Sequence, residues 1–170
     1  MSQPLRSQAD RMRLAVRIAR ENVERGTGGP FGAIIVERDS GRVVSVGMNC
    51  VVRLSNSTLH GEMVAFMMAQ QKLASFTLAA PGMPEHELVT SCEPCAMCLG
   101  AALWSGVKSI VCGAGRDDAS KLSFEEGPVF PQSWKYLEDR GITIARNVLR
   151  EEARTVLEQY GAQGGTIYNA

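Results

Sequence analysis

Glu87-Leu88-Val89-Thr90-Ser91-Cys92-Glu93-Pro94-Cys95-Ala96-Met97-Cys98-Leu99-Gly100-Ala101 runs from a short strand directly into a helix. The spacing predicts a strand over 87–91 and a helix over 93–105, with Pro94 suited to the first helical position and Gly106 just past the end. Cys95 and Cys98 are three residues apart, so they share one face of the first turns. Free backbone N–H groups and the positive end of the helix dipole favour thiolates there. A second motif lies upstream, His60-Gly61-Glu62, with His60 opening a helix that runs to about Ala74. One imidazole and two thiolates fill three corners of a zinc tetrahedron, and an open fourth corner separates a catalytic site from a closed structural one. Glu62 is then left over as a carboxylate that can move protons without binding metal. A redox Cys-x-x-Cys would require neither Pro94 nor the His-x-Glu pair. A zinc knuckle would require a second Cys-x-x-Cys or a His pair, and the chain has only two histidines.

Outward from these motifs the chain alternates strand and helix. Met12, Ala15, Val16, Ala19 and Val23 recur at helical spacing within 8–25, while Arg13, Arg17 and Arg20 form a solvated row. Thr27-Gly28-Gly29-Pro30 is a loop. Segments 31–37 and 42–48 are rich in Val and Ile, and Asp39-Ser40-Gly41 joins them as a hairpin. Met63, Val64, Met67 and Met68 form a stripe expected to pack in the core. His86, between two glutamates, is expected on the surface. Segment 108–113 reads as a buried strand containing Cys112 as a core thiol, and 114–131 as a long irregular stretch that lines something. A helix over 133–140, a strand over 142–145 and a helix over 149–160 complete an α/β layered sheet with helices on both faces.

The 170 residues are one domain's worth, with 45% hydrophobic content and a net charge of zero. A neutral chain argues against a nucleic-acid binder that works through the phosphate backbone. No apolar run is long enough to span a bilayer, and nothing over 1–10 resembles a secretory signal. Five cysteines, an odd number, suit a cytoplasmic metal site better than a disulfide framework. The expectation is a cytoplasmic protein with no membrane partner.

The His-Gly-Glu and Glu-Pro-Cys-Ala-Met-Cys segments resemble those of the cytidine deaminase superfamily. Gly28-Gly29-Pro30-Phe31-Gly32-Ala33, Trp104-Ser105-Gly106, Phe124-Glu125-Glu126-Gly127-Pro128 and Ile167-Tyr168-Asn169 are similar to segments of its bacterial guanine deaminases. Gly61 stands where most of those have Ala, and His-Gly-Glu also occurs in fungal-type cytosine deaminases. The resemblance implies a three-layer α/β/α sandwich with a five-stranded mixed sheet, in one deaminase domain over 1–170. It also implies a homodimer whose tail, 161–170, crosses to cover the partner's site. Bound Zn2+ would acidify a water, and Glu62 would carry its proton to the ring nitrogen beside the amino-bearing carbon. By the same resemblance Glu126 is a second carboxylate facing the substrate, Asn49 recognises the base, and Phe31, Trp104 and Tyr168 wall it in. The residues themselves leave plainer readings open: Glu126 as a loop charge, Asn49 as turn chemistry, Trp104 as core, Tyr168 packed on its own subunit. The implied reaction is hydrolytic deamination of a small free base, guanine first, then cytosine, an amino-triazine or a pterin. A tRNA adenosine deaminase shares the motif but needs an open basic groove. A zinc-stabilised scaffold would need the three ligands and no Glu62.

Overall fold

Period-two alternation along the strands divides the side chains between two helical layers. In the computed structural model, which describes residues 4–169, the order is α1 (Gln8–Glu24), β1 (Gly32–Glu37), β2 (Val43–Met48), α2 (Val51–Leu54), α3 (Gly61–Leu73), β3 (His86–Cys92), α4 (Ala96–Ser105), β4 (Ser109–Ala114), α5 (Arg116–Ser120), α6 (Pro131–Glu138), β5 (Thr143–Ala145) and α7 (Arg150–Ala162). The sheet order is β2-β1-β3-β4-β5. β1 pairs antiparallel with β2 and β3, whereas β3–β4 and β4–β5 are parallel, so the sheet is mixed as expected. Ile34, Val36, Val89 and Val111 pack on the inward face of α1 and on Ala153, Val156 and Leu157 of α7. Their sequence neighbours Ala33, Ile35, Leu88 and Ile110 point the other way, onto α3, α4 and α6. β1, β3 and β4 are buried on both faces; β1 and β4 read as nearly continuous apolar runs, whereas β3 buries the polar His86, Glu87, Thr90 and Ser91 as well. The tail residue Ala170 lies outside the described residues.

Several local expectations are corrected. The helix expected from Glu93 begins at Ala96, and Pro94 precedes its cap. The chain stays extended through Glu93, whose N–H still bonds the Ala114 carbonyl at 2.9 Å beside β4. The stretch expected to be irregular after β4 begins with α5, and α2 interrupts the connection after β2. The methionine stripe of α3 faces outward, with Met67 and Met68 about half exposed, while Glu62, Ala65, Phe66 and Ala69 face the sheet. Close approach explains the inversion. A Cβ on Gly47 of β2 would stand 2.1 Å from the Gly61 carbonyl oxygen, so only small side chains fit between α3 and this strand. His86 is fully buried, opens β3, and places Nδ1 2.8 Å from the Leu78 carbonyl oxygen. Its acidic neighbours suggested a surface position, but the strand begins one residue earlier than its pattern shows.

Candidate active site

The two motifs meet because each supplies a helix cap. His60 is the N-cap of α3 (φ −65°, ψ 158°) and Cys95 the N-cap of α4 (φ −67°, ψ 173°), both extended. Cys98 follows one turn later on α4. One donor atom from each of the three lies within 4.8 Å of the others. Cys95 Sγ stands 3.5 Å from His60 Nδ1. Tetrahedral zinc, with Zn–S near 2.3 Å and Zn–N near 2.0–2.1 Å, requires an N···S edge of roughly 3.6 Å. The donor set and its spacing therefore fit zinc.

The charges around this cluster are strongly coupled. Hydrogen bonding from Cys98, helped by His60, pulls Cys95 down to about 4 against the opposing effect of burial. The same contact, with burial, pushes Cys98 well up, so the pair alone is one thiolate and one thiol. Burial works against a charged His60, but the Cys95 thiolate and Glu62 outweigh it and hold its pKa up. A dication between the ligands would draw off the remaining protons, since thiolate and neutral imidazole are the binding forms.

Glu62 is buried at the second position of α3. Thr90 Oγ1 donates to its Oε1 at 3.1 Å, and Cys98 Sγ lies 3.5 Å from its Oε2. Burial, reinforced by the Cys95 thiolate, raises its pKa. Glu126 sits on the loop after α5 yet is only 7% exposed. The Ala96 N–H donates to its carbonyl oxygen at 2.9 Å, tying the loop to the metal helix. Burial and the Cys95 thiolate push its carboxyl up to about 8. A bound dication would oppose that rise. Two buried carboxyls thus flank one metal-ligating cluster, and the loop-charge reading of Glu126 fails on its burial.

Asn49 directly follows β2 and has no exposed surface. Its Oδ1 accepts from Val51 N–H at 3.2 Å, while its buried Nδ2 has no partner among the described residues. A buried donor left free costs energy unless something else accepts from it, so turn chemistry accounts for only half of this side chain. Phe31 meets Phe124 edge-on at 5.0 Å, and Phe124 tilts against Tyr168 at 5.1 Å. Tyr168 lies edge-on to His60 at 6.3 Å. Its hydroxyl is buried without a partner among the described residues, at the place a Gly29 side chain would occupy. Asn169 fastens the tail, donating from Nδ2 to the Glu125 carbonyl oxygen at 2.7 Å and accepting from Glu125 N–H at 3.1 Å. The described chain therefore lays its tail over its own site.

Trp104 is not brought to the site and is not core. It is 81% exposed, off the buried face of α4 formed by Cys98, Leu99, Ala102 and Ser105. Two participants escaped the sequence reading. Phe124 joins Phe31 and Tyr168, two of the three aromatic residues that were expected. Asn22, buried on the apolar stripe of α1, donates from Nδ2 to the carbonyl oxygens of Gly29 (2.8 Å) and Asn49 (2.9 Å). An amide on an otherwise apolar helical face was the available signal.

Residues 5–114 match the family described as the cytidine and deoxycytidylate deaminase zinc-binding region. The chain belongs to this family. It is 35% identical over 140 residues to the guanine deaminase of Bacillus subtilis, an alignment covering 82% of this chain and 85% of that one. The solved guanine deaminase from Nitrosomonas europaea superposes with a TM-score of 0.91 at 43% identity, covering 94% of this chain and 87% of that one. The protein NE0047 in complex with 2,6-diaminopurine gives a TM-score of 0.93 at 44% identity, covering 98% and 87%. Variants of NE0047 with a substituted asparagine or glutamate have been solved with 8-azaguanine. This deaminase is thus a zinc-dependent hydrolytic enzyme with the family's three-layer fold. None of its described helices is long and apolar enough to cross a membrane.

Proposed function

We propose that this deaminase converts guanine and water to xanthine and ammonia. His60, Cys95 and Cys98 hold the zinc. When bound there, zinc supplies a water acidic enough to ionise near neutrality. Glu62, hydrogen-bonded by Thr90, takes one proton from the attacking water and delivers it to the ring nitrogen beside the amino-bearing carbon; it then takes the remaining proton from the hydroxyl added at that carbon and passes it to the amine, which leaves as ammonia. Glu126 is the second carboxylate at the substrate. Asn49 Nδ2 is the free buried donor that a base acceptor would satisfy. Phe31, Phe124 and Tyr168 close over the base and exclude water. The carrying observation is the buried Glu62 carboxylate set against the three-ligand cluster, an arrangement a metal-stabilised scaffold does not need.

The choice of guanine is supported by relatives above 40% identity whose complexes hold purine analogues, and by the asparagine and glutamate probed there, the residue types of Asn49 and Glu126. The fastened tail and zero net charge disfavour a tRNA strand. A single domain working as a cytoplasmic homodimer completes the proposal. It is supported by the free thiols and by the exposed Met67, Met68 and Trp104, which suit a second copy. The test is ammonia release from a panel of free bases, nucleosides, pterins and triazines. Guanine is expected to give the highest kcat/KM. A higher value for cytosine, a pterin or a triazine would reassign the substrate, and turnover of nucleosides alone would refute the closed free-base site.

A further inference from the structure

Arg116 belongs to none of the motifs, yet its side chain reaches the loop that carries Glu126. It opens α5 directly after β4. Its Nη1 donates to the Val129 carbonyl oxygen at 2.6 Å and its Nη2 to the Gly127 carbonyl oxygen at 2.8 Å. Its backbone N–H donates to Glu93 Oε2 at 3.3 Å, and Glu93 Oε1 accepts from Arg146 Nε at 2.5 Å. Glu93 is buried two residues before the ligand Cys95. Among the described residues the Arg116 guanidinium makes no ion pair; it donates to two backbone carbonyls, and its charge opposes the rise of the Glu126 carboxyl. Hydrogen bonds from a charged donor are about twice as strong as neutral ones, and a planar fork fixes two acceptors at once.

That strength matters because the loop has no helical or sheet ladder to hold it. Residues 124–130 form neither helix nor strand, and Gly127 sits at φ +71°. The Glu126 carbonyl is tied to α4 through Ala96 and its predecessor Glu125 to Asn169, while on the following side the fixed points are the two carbonyls held by Arg116. One residue therefore links Glu93, through its backbone N–H, to the loop bearing the second carboxylate, through its side chain.

We propose that Arg116 is a positioning residue whose guanidinium fork sets where loop 126–129 holds the Glu126 carboxylate against the bound base. This rests on Glu126 facing the substrate, as proposed above. The test uses Arg116→Met, which keeps the stem and removes the donors, and Arg116→Lys, which keeps the charge but offers no fork. Each is made in the wild-type and Glu126→Gln backgrounds, with zinc content measured throughout.

Arg116→Met is expected to lower kcat by up to roughly 10²-fold, the effect of about 1 Å of misplacement. KM should stay within about threefold and zinc at one per chain. Arg116→Lys should recover part of the loss. In the Glu126→Gln background Arg116→Met should cost less than about threefold, because the group it positions is already gone. Hydrogen exchange supplies a readout independent of turnover: the peptide spanning 124–130 should exchange faster in Arg116→Met while the β3 peptide does not. Equal fold-losses in both backgrounds, or unchanged exchange over 124–130, would overturn the proposal. Should Arg116→Met fail to fold, Arg116→Lys is read in the same assays, with a smaller loss expected in the same pattern. Failure of the wild type to deaminate guanine would sink the substrate assignment and leave the exchange result to decide the clamp.

Discussion

Gly47→Ala tests whether close approach of α3 to the hairpin sets the active-site geometry. The added Cβ would stand 2.1 Å from the Gly61 carbonyl oxygen, 2.5 Å from Ala65 N and 3.0 Å from Ala65 Cα. All three are backbone atoms, so none can rotate aside. Ordinary contact begins near 3.4 Å, so α3 must retreat by more than an ångström. That helix carries His60 at its cap and Glu62 at its second position, while Cys95 and Cys98 stay on α4. Overpacking costs about 1–3 kcal/mol, and a clash purely with backbone belongs at the upper end. At about 2–4 °C per kcal/mol for a chain of this size, the melting temperature should fall by about 6–12 °C. A displacement of this order at reacting groups costs roughly 10²-fold in rate. Calorimetry, kcat/KM and zinc retention against a chelator measure the three effects. Gly100→Ala is the control, because its Cβ would meet nothing within 4 Å. Gly61→Ala is the graded case, its nearest neighbour being the Phe31 carbonyl oxygen at 3.2 Å, and it should be close to neutral. A Gly47→Ala protein that melts within about 2 °C of wild type and turns over normally would refute the reasoning.

Glu62→Gln keeps the shape and the Thr90 hydrogen bond but cannot carry a proton, so activity should fall by about 10²–10⁴-fold with zinc retained, as read by steady-state kinetics and metal analysis. Glu37 is held down at about 2 by its hydrogen bond from Arg42, with Ser40 helping. Its folded pKa lies below the unfolded value, so its stabilisation is complete above about pH 4.5 and is lost as pH falls towards 2; melting curves of wild type and Glu37→Gln should converge across that window. Deleting residues 166–170 removes Tyr168 and Asn169, so small-base turnover should drop while zinc content and melting temperature stay nearly unchanged. Mixing that truncation with full-length Glu62→Gln decides whose site the tail covers: recovered activity in proven mixed dimers shows exchange, and no recovery shows the same-chain arrangement described above.

What was legible in the sequence was what local chemistry enforces. The ligand types, the three-residue cysteine spacing and the period of α1 survive into the structure because each depends on one element alone. Most of the misreadings involve a second element. Hydrophobicity ranks Met67 and Met68 above Ala65 and Ala69, but the sheet at Gly47 admits only the small side chains. His86 looked exposed between two acids, whereas its partner is the Leu78 carbonyl, across a loop. Trp104 lies one residue from Ser105 on the buried face, and on a helix that step is enough to turn a side chain outward. Arg116 acts on carbonyls 11 and 13 residues away, which no pattern of residue types encodes.

The interval between the two motifs has a physical origin of its own. His60 and Cys95 are 35 positions apart, yet their donor atoms lie 3.5 Å from each other. The 13 residues of α3 carry the chain about 20 Å away from the site at 1.5 Å per residue. The 7 residues of β3 bring it back by about 23 Å at 3.3 Å per residue. The outward and return paths nearly match, so the chain arrives beside the cap it left. The loop over 74–85 only has to turn it round and can change length without moving either ligand. Shortening α3 or β3 alone would break that balance, since one path would no longer cancel the other and Cys95 would be delivered short of, or past, His60. The helix and strand lengths, rather than the residue count between the motifs, fix the metal site.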